Sequence, residues 1–351
     1  MSSAGDDALE TNLTDSVTTP RLGQPALTVI LPTIDNYQRI KKTLAHLQAQ
    51  TARSEIEVLI VASSEEALRL DPAAAEGFFD LRVIEVGEIQ SLAAAKSLAA
   101  VEARADWVVF GEDHSWPEPG WAEALIAAHR EGYAVVGPII RNANPGSTLS
   151  WTNYLACFSR WSHTGLAGKV SQTPWHNSSY KRELLLERQA NLPRLLAVEG
   201  ILQDELREEG HRLYLLPGVA TDHVNISRLS AWILQAFWGG KLYGGSRIEG
   251  EDWGVFRRLA YICGMPLIPM LRFKRLLPEI RPLTRQHSLM PRILPALVLN
   301  LIIHAVGEVT GYALGKGDAE NQYLEFEARR FEAITQEDRD ALGIELSGSG
   351  R

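Results

Sequence analysis

Short apolar runs alternate along the first part of the chain with segments of helical periodicity. The apolar runs predict strands at residues 27–31, 58–62, 81–86 and 107–110. Between the first two runs, Ile40, Leu44 and Leu47 recur at i, i+4 and i+7 and predict a helix. Residues 92–103 predict another helix because they are rich in alanine. This alternation predicts an α/β fold with a doubly wound, mostly parallel central sheet and flanking helices.

The pattern changes after a predicted helix at residues 121–129 and a strand that begins at Val135. Residues 142–175 lack regular periodicity, and we expect a long irregular region there that builds a binding surface. We expect its aromatic side chains either to stack on sugar rings or to belong to the core: Trp151, Tyr154, Trp161 and Trp175. Further helices are predicted from residue 182 and at 200–209. Strands follow at 213–216 and 219–223, with a turn at Pro217-Gly218 between them.

Changes in composition divide the chain into four parts. Residues 1–25 are polar and predict a disordered tail, whereas residues 26–230 carry the α/β pattern. Residues 231–333 predict a helical extension whose basic and apolar side chains are typical of proteins on anionic membrane surfaces. Within it, residues 293–314 are apolar but include Asn300, His304 and Glu308, so we expect an interfacial or core helix and no membrane-spanning one. Residues 334–351 predict a flexible, charged tail.

The overall composition is that of an ordinary globular protein, with 45% hydrophobic and 22% charged residues. The net charge of −8 gives no reason to expect nucleic-acid binding. The two cysteines, Cys157 and Cys263, show no metal-ligand spacing and fit a reducing cytosol.

The candidate chemistry begins at Glu112-Asp113-His114, directly after the predicted buried strand at 107–110. Open α/β sheets bind ligands at the carboxyl ends of their strands. Carboxylates and imidazole suit a divalent metal or a metal–diphosphate complex, although a solvated polar loop is the alternative interpretation. No G-x-G-x-x-G follows the first strand, so a bound diphosphate is expected to depend on a metal at this loop.

The motifs, taken in order, match a known family. They are Leu27-Thr-Val-Ile-Leu-Pro-Thr33, Ala93-Ala-Ala-Lys96, Phe110-Gly-Glu-Asp-His114 with Pro117, Pro119, Gly120 and Trp121, His176-Asn177 with Arg182, Val198-Glu199 with Leu206 and Gly210, Pro217 with His223, and Gly307-Glu308 with Gly311-Tyr312. In these segments the chain resembles the family 2 glycosyltransferases, inverting enzymes with a GT-A fold, and specifically their membrane-associated, polysaccharide-type members. The resemblance implies a hexosyltransferase-like enzyme that moves a sugar from a nucleotide-sugar to a glycan or lipid-linked acceptor.

The resemblance also implies roles for individual residues. The donor-binding positions are Pro32, Thr33, Asp35, Ser63, Lys96, Glu112 and Asp113, and the acceptor-binding positions are Trp151, Trp175, His176 and Asn177. The implied metal ligands are Asp113, His114 and His223, oriented by Glu112; because imidazole is present, Mn²⁺ is expected to work at least as well as Mg²⁺. Glu199 is the implied catalytic base, with Asp204 as the second choice.

Three positions depart from the family pattern, and they keep alternatives open. Ser63 stands where the family has an aspartate that contacts the nucleotide base, imidazole replaces the last acid of D-x-D, and Glu199 replaces the aspartate base. A catalytically degenerate, carbohydrate- or nucleotide-sugar-binding protein is therefore an alternative. A nucleotidyltransferase is another, although residues 32–36 lack the glycine-rich basic loop it needs. We expect a cytoplasmic protein at the inner face of the cell membrane, with no nucleic-acid partner.

Overall fold

A computed structural model describes residues 23–162, 167–197, 199–250 and 253–346, without the side chains of Glu199 and Gly250. The strands in this part of the chain are β1 (Leu27–Pro32), β2 (Ile56–Ala62), β3 (Asp80–Glu85), β4 (Trp107–Phe110), β5 (Ser115–Pro117), β6 (Val135–Asn142), β7 (Gly168–Lys169), β8 (Ser179–Lys181) and β9 (Leu213–His223). They form one sheet in the order β3-β2-β1-β4-β8-β6-β9-β5, with β7 beside β9. Nearly all of the predicted tail, residues 1–22, lies outside the described residues.

Helices cover both faces of this sheet. Through the first two thirds of the chain they are α1 (Tyr37–Gln48), α2 (Glu65–Leu68), α3 (Leu92–Glu102), α4 (Trp121–Arg130), α5 (Thr148–Phe158), α6 (Arg182–Leu186), α7 (Leu192–Ala197) and α8 (Glu199–Glu208). Val29 and Leu31 of β1 face α1 and α4, whereas Ile30 faces α3 and α7. Strands β1, β2 and β4 are therefore buried on both sides, which explains why they read as continuous apolar runs.

The sheet has a parallel half and a mixed half. Strands β1 to β4 pair in parallel, as the alternation of strands and helices predicts. Beyond β4, β8 is antiparallel to both β4 and β6, β9 is parallel to β6, and β5 is antiparallel to β9. Because β4 leads into β5, which pairs with the end of β9, the polar residues after β4 lie beside the last residues of β9.

The C-terminal third is helical, as predicted. Its helices are α9 (Leu229–Gly250), α10 (Val255–Cys263), α11 (Leu267–Gln286), α12 (Met290–Leu314), α13 (Ala319–Ala328) and α14 (Gln336–Leu342). The backbones of α9 and α12 are in direct contact. A Cβ atom added to Gly244 would lie 2.2 Å from the backbone carbonyl oxygen of Glu308, and one added to Gly311 would lie 2.4 Å from that of Lys241. Helix α12 is long and apolar enough to cross a membrane by length and composition, although 39% of its apolar window is buried.

Three local expectations were wrong. Within residues 142–175, α5 is a regular helix, capped by Ser147, whose side chain accepts a hydrogen bond from the Ser150 amide. Pro217-Gly218 does not separate two strands, because β9 is continuous and pairs with β6 across a register shift. Residues 334–346 are not a flexible tail: α14 packs on the domain, and Asp338 accepts hydrogen bonds from Asn144 and Ser227.

Candidate metal and nucleotide-sugar site

The site forms where the loop after β4 meets the end of β9. Ser115 pairs with His223 across the two antiparallel strands. The Val224 amide donates a hydrogen bond to the His114 carbonyl at 3.0 Å. The two imidazoles consequently lie edge to face, with ring centroids 5.0 Å apart. Two histidines that are 109 positions apart in sequence are thus brought together by strand pairing.

Glu112 lies between these two histidines. Its Oε2 is 3.6 Å from His114 Nε2 and 3.7 Å from His223 Nε2. All three side chains are buried, and their ligand atoms lie within 4.8 Å of one another. Ligands about 2.1 Å from a common ion are about 3.0–3.5 Å apart in octahedral or tetrahedral geometry. The two distances from Glu112 exceed this range by only a few tenths of an ångström, so the carboxylate is close to the position it would take if these atoms shared one cation.

The protonation state of His223 also favours cation binding by this group. Burial, and the neighbouring His114, hold the pKa of His223 well below its ordinary value, so this imidazole is neutral and keeps a lone pair. Glu112 Oε2, His114 Nε2 and His223 Nε2 have no hydrogen-bond partner among the described residues. Buried polar atoms without partners are costly, and a divalent cation would satisfy all three at once.

Asp113 contacts this group through the other ring nitrogen of His114. His114 Nδ1 lies 2.7 Å from Asp113 Oδ1; the bond fixes the tautomer and leaves Nε2 as the lone-pair nitrogen. Asp113 Oδ2 accepts a hydrogen bond from Arg39 Nε. Burial alone would raise the pKa of Asp113, but Arg39 and His114 lower it, so the carboxylate stays ionised. Asp113 was expected among the metal ligands, but the converging atoms belong to Glu112, His114 and His223, and Asp113 contacts this group through His114.

Two further groups approach Glu112 from the other side. His176 Nδ1 is 3.1 Å from Glu112 Oε1. Glu327, at the end of α13, has its Oε2 3.8 Å from His114 Nε2. Burial would raise the pKa of Glu327, but the adjacent Arg330 guanidinium lowers it, and the net shift is downward. Glu112, His176 and Glu327 form a second group whose ligand atoms lie within 4.8 Å of one another.

A cavity of about 450 Å³ opens from this cluster. The donor-loop residue Pro32, the buried Lys96 and the half-exposed Trp175 lie in its wall. The C-terminal helices line it with both apolar and polar side chains, among them Leu242, Leu324, Arg272 and His304. The cavity therefore lies between the cluster and the C-terminal helices.

The cavity gathers seven of the predicted site residues and leaves others apart. Its lining includes Pro32, Lys96, Glu112, Asp113, His114, Trp175 and His176. Thr33 is buried beside it, whereas Asp35 and Ser63 are exposed and outside the lining. Trp151 is 8% exposed and packs on Tyr154 and His287, so it is a core aromatic and not part of an acceptor surface.

Asn177 has a conformational role. Its backbone adopts a left-handed conformation, with φ of 61°. Its amide side chain donates to Ser115 Oγ at 2.8 Å, and its backbone N–H donates to the Phe110 carbonyl. These bonds tie the β4–β5 loop, which contains Glu112, to the segment directly before β8.

The two candidate bases differ in what the structure describes. The side chain of Glu199 lies outside the described part of the chain, but its helix α8 begins two residues after Ala197, which lines the cavity. Asp204 is not among the residues that line the cavity; it pairs with Arg207 at 2.9 Å and accepts a hydrogen bond from Gln172. This position does not support Asp204 as a base.

Arg39, Glu327 and Arg330 were missed by the sequence analysis. Arg39 lies within a helix whose sequence signal is its apolar periodicity. Glu327 and Arg330 lie more than a hundred residues after Glu199, the implied catalytic base. One sequence signal could have indicated a further ligand: the three predicted metal ligands are fewer than most metal sites need.

Comparisons with known proteins give one family match. The family model of glycosyl transferase family 2 matches residues 28–189. No curated protein matches the sequence significantly.

Three similar solved structures are the mannosyltransferase PcManGT from Pyrobaculum calidifontis in complex with GDP-Man and Mn²⁺, S. aureus TarS 1–349 in complex with UDP, and GalNAc-T7 with UDP, GalNAc and Mn²⁺. Their identities are 18%, 16% and 14%, and their TM-scores 0.48, 0.45 and 0.44. The matches cover 82%, 82% and 57% of this chain, and 87%, 91% and 43% of those structures. Because all three TM-scores lie below 0.5, no functional property is inferred from these structures.

Proposed function

We propose that the protein, whose residues 28–189 match the glycosyl transferase family 2 model, is an inverting, metal-dependent transferase with a GT-A fold. It moves a sugar from a nucleoside-diphosphate sugar to a hydroxyl group of a glycan or lipid-linked acceptor. The match supports a glycosyltransferase as such. The donor, the metal and the acceptor are parts of our proposal, and each has its own support.

The observation that carries the proposal is the convergence of Glu112, His114 and His223 beside the cavity, whose lining includes the first two. Three buried atoms there lack hydrogen-bond partners. A divalent cation bound by them would offset the negative charge of a departing nucleoside diphosphate. Two imidazoles and a carboxylate suit Mn²⁺ better than Mg²⁺, which prefers oxygen ligands.

The donor is placed by residues on the parallel half of the sheet. Pro32 is the last residue of β1 and Lys96 lies on α3, and both line the cavity at the edge of the sheet where α/β folds bind ligands. The Lys96 ammonium lies 5.8 Å from the centre of the Phe110 ring and supplies positive charge to the cavity that Glu112 and His114 also line. This charge favours the diphosphate over a neutral ligand.

Acceptor activation is assigned to Glu199. Inversion requires a base that takes the proton of the attacking hydroxyl. Glu199 is the first residue of α8, where the helix dipole stabilises a carboxylate. Trp175 is 40% exposed and forms part of the cavity wall, and its indole offers an apolar face on which an acceptor sugar can stack.

We further propose that the C-terminal helices rest on the inner face of the cell membrane. Helices α10 and α11 expose large apolar side chains, including Val255, Phe256, Leu267, Met270 and Leu271. The same helices carry exposed basic residues: Arg257, Lys274, Arg275, Arg281 and Arg285. This combination matches an anionic bilayer, because acyl chains cover the apolar groups while lipid headgroups meet the cations.

The test is a donor panel. Purified full-length protein with Mn²⁺ is incubated with UDP-, GDP-, dTDP- and CMP-linked sugars, and release of the nucleotide is measured. We expect release from one nucleoside-diphosphate sugar well above the rate without protein. Release from none of them, together with binding of one, would favour the degenerate, non-catalytic alternative.

A further inference from the structure

The C-terminal segment, defined as residues 319–342, crosses the candidate metal site. The Arg39 guanidinium donates to the Ala328 carbonyl at 2.6 Å and pairs with Glu332 at 3.1 Å. Lys42 Nζ donates to the Leu342 carbonyl at 2.7 Å. These bonds hold the part of the segment that follows Glu327, starting at the very next residue, so contacts with α1 anchor the backbone beside this carboxylate.

Glu327 Oε2 approaches His114, one of the converging ligands. Its Oε1 pairs with Arg330, whose side chain is 3% exposed, and this contact fixes the carboxylate's orientation. Its Oε2 is buried without a hydrogen-bond partner among the described residues and lies 3.8 Å from His114 Nε2, which also lacks one. An imidazole lone pair and a carboxylate oxygen both accept hydrogen bonds, so they do not satisfy each other unless a cation or a proton lies between them.

We propose that Glu327 is a ligand of the divalent cation held by Glu112, His114 and His223. The C-terminal segment thereby completes the metal site of the family 2 domain, which this inference takes from the proposed function. The resulting donor set has two imidazoles and two carboxylates. Arg330 acts on the carboxylate as hydrogen-bonded partners of metal ligands commonly do, by orienting it.

The alternative is that Glu327 serves only as the partner of Arg330. In that case the carboxylate neutralises a buried guanidinium, and its approach to His114 has no consequence for metal binding. The two cases predict different effects of a neutral side chain at position 327 on the affinity for Mn²⁺. This affinity can be measured without turnover.

The experiment is a titration of full-length protein with Mn²⁺ alone, followed by the electron paramagnetic resonance signal of free Mn²⁺. We expect Glu327→Gln to weaken binding by about ten-fold or more. Glu325→Gln is the matched control, since Glu325 is 60% exposed and pairs with Arg329, directly after the same helix. We expect this control to bind within about two-fold of wild type.

A third variant separates this inference from the proposed function. If Glu112→Gln loses Mn²⁺ affinity and Glu327→Gln keeps it, the inference about Glu327 is overturned and the metal site stands. If Glu112→Gln also keeps full affinity, the metal site of the proposed function is overturned as well.

Hydrogen exchange of the wild-type protein tests the same point without a variant, and decides it if Glu327→Gln fails to fold. We expect saturating Mn²⁺ to slow amide exchange in residues 319–332, because the cation ties this segment to the domain. Equal exchange with and without Mn²⁺, at a concentration where the cation is bound, would overturn the inference.

Discussion

Arg39 and Asp113 form a buried ion pair that joins α1 to the loop after β4. Arg39 Nε donates to Asp113 Oδ2, and the two side chains are 4% and 8% exposed. The remaining guanidinium nitrogens bind Ala328 and Glu332 of the C-terminal segment. One guanidinium therefore holds both the carboxylate that orients His114 and the segment that covers the site.

Replacing Arg39 with alanine should uncouple these parts. The change leaves the Asp113 carboxylate buried without its cation, so we expect the free energy of unfolding to fall by about 3–5 kcal/mol. The C-terminal segment should also be cleaved faster in limited proteolysis. Lys41→Ala is the control, because Lys41 is exposed on the same helix. Unchanged cleavage in Arg39→Ala would show that the guanidinium does not hold the segment.

Glu199 is expected to be the base and Asp204 is not. Glu199→Gln should lower kcat by about 10²–10⁴-fold while nucleotide affinity is retained, since only proton removal is lost. Asp204→Asn and the exposed Glu208→Gln should stay near wild type. Rates are read as nucleoside diphosphate release in the presence of an acceptor. Near-normal turnover in Glu199→Gln would remove it from this role.

His129 makes the fold sensitive to acid. It is buried, with Nδ1 2.9 Å from the Tyr133 carbonyl and Nε2 2.7 Å from Ser179 Oγ. Burial lowers its pKa from 6.5 to about 3. Between these values the unfolded chain binds a proton that the folded chain does not, so stability is full above pH 6.5 and falls as the pH drops toward 3. The slope from this residue is up to about 1.4 kcal/mol per pH unit.

Urea unfolding between pH 4 and pH 7 measures this slope. His129→Gln removes the titrating group, so its unfolding free energy should depend less steeply on pH, even though the variant is less stable at pH 7. Parallel curves for the two proteins would contradict the assignment of the acid sensitivity to His129.

Phe256 is expected to contact lipid. It is 91% exposed on α10, next to Arg257. Burying a phenylalanine side chain is worth about 1.5–3 kcal/mol, so Phe256→Ser should weaken binding to phosphatidylglycerol vesicles by roughly ten-fold or more. Leu98→Ser is the control, as Leu98 is 56% exposed on α3, far along the chain from the extension. Equal sedimentation of wild type with anionic and with neutral vesicles would argue against a membrane surface.

Much of the sheet could be predicted from sequence because its signal is local. Strands β1, β2 and β4 are buried on both faces, so each appears as an apolar run, and the positions of all three are confirmed. Helix α5 escaped prediction because its exposed face is small: it packs against the sheet and the C-terminal helices, and its apolar and polar residues show little periodicity.

The candidate site was predictable in place but not in detail. The end of β4 was identifiable because charged residues directly follow a buried strand. Arg39, 74 positions before Asp113, binds the Asp113 carboxylate and leaves Glu112 to converge with the histidines. A contact over this sequence distance leaves no local pattern. Glu327 reaches the site only through the packing of the C-terminal segment, so no spacing in the sequence indicates it.

The central claim is that Glu112, His114 and His223 hold the cation on which nucleotide binding depends. Isothermal titration of the nucleoside diphosphate identified by the donor panel, with Mn²⁺ and after its removal by EDTA, tests this most directly. In wild type we predict at least about ten-fold weaker binding without the metal, and His223→Ala should show the weak affinity even with Mn²⁺ present, while His211→Ala behaves as wild type. Equal affinity of the wild-type protein with Mn²⁺ and with EDTA would contradict the account.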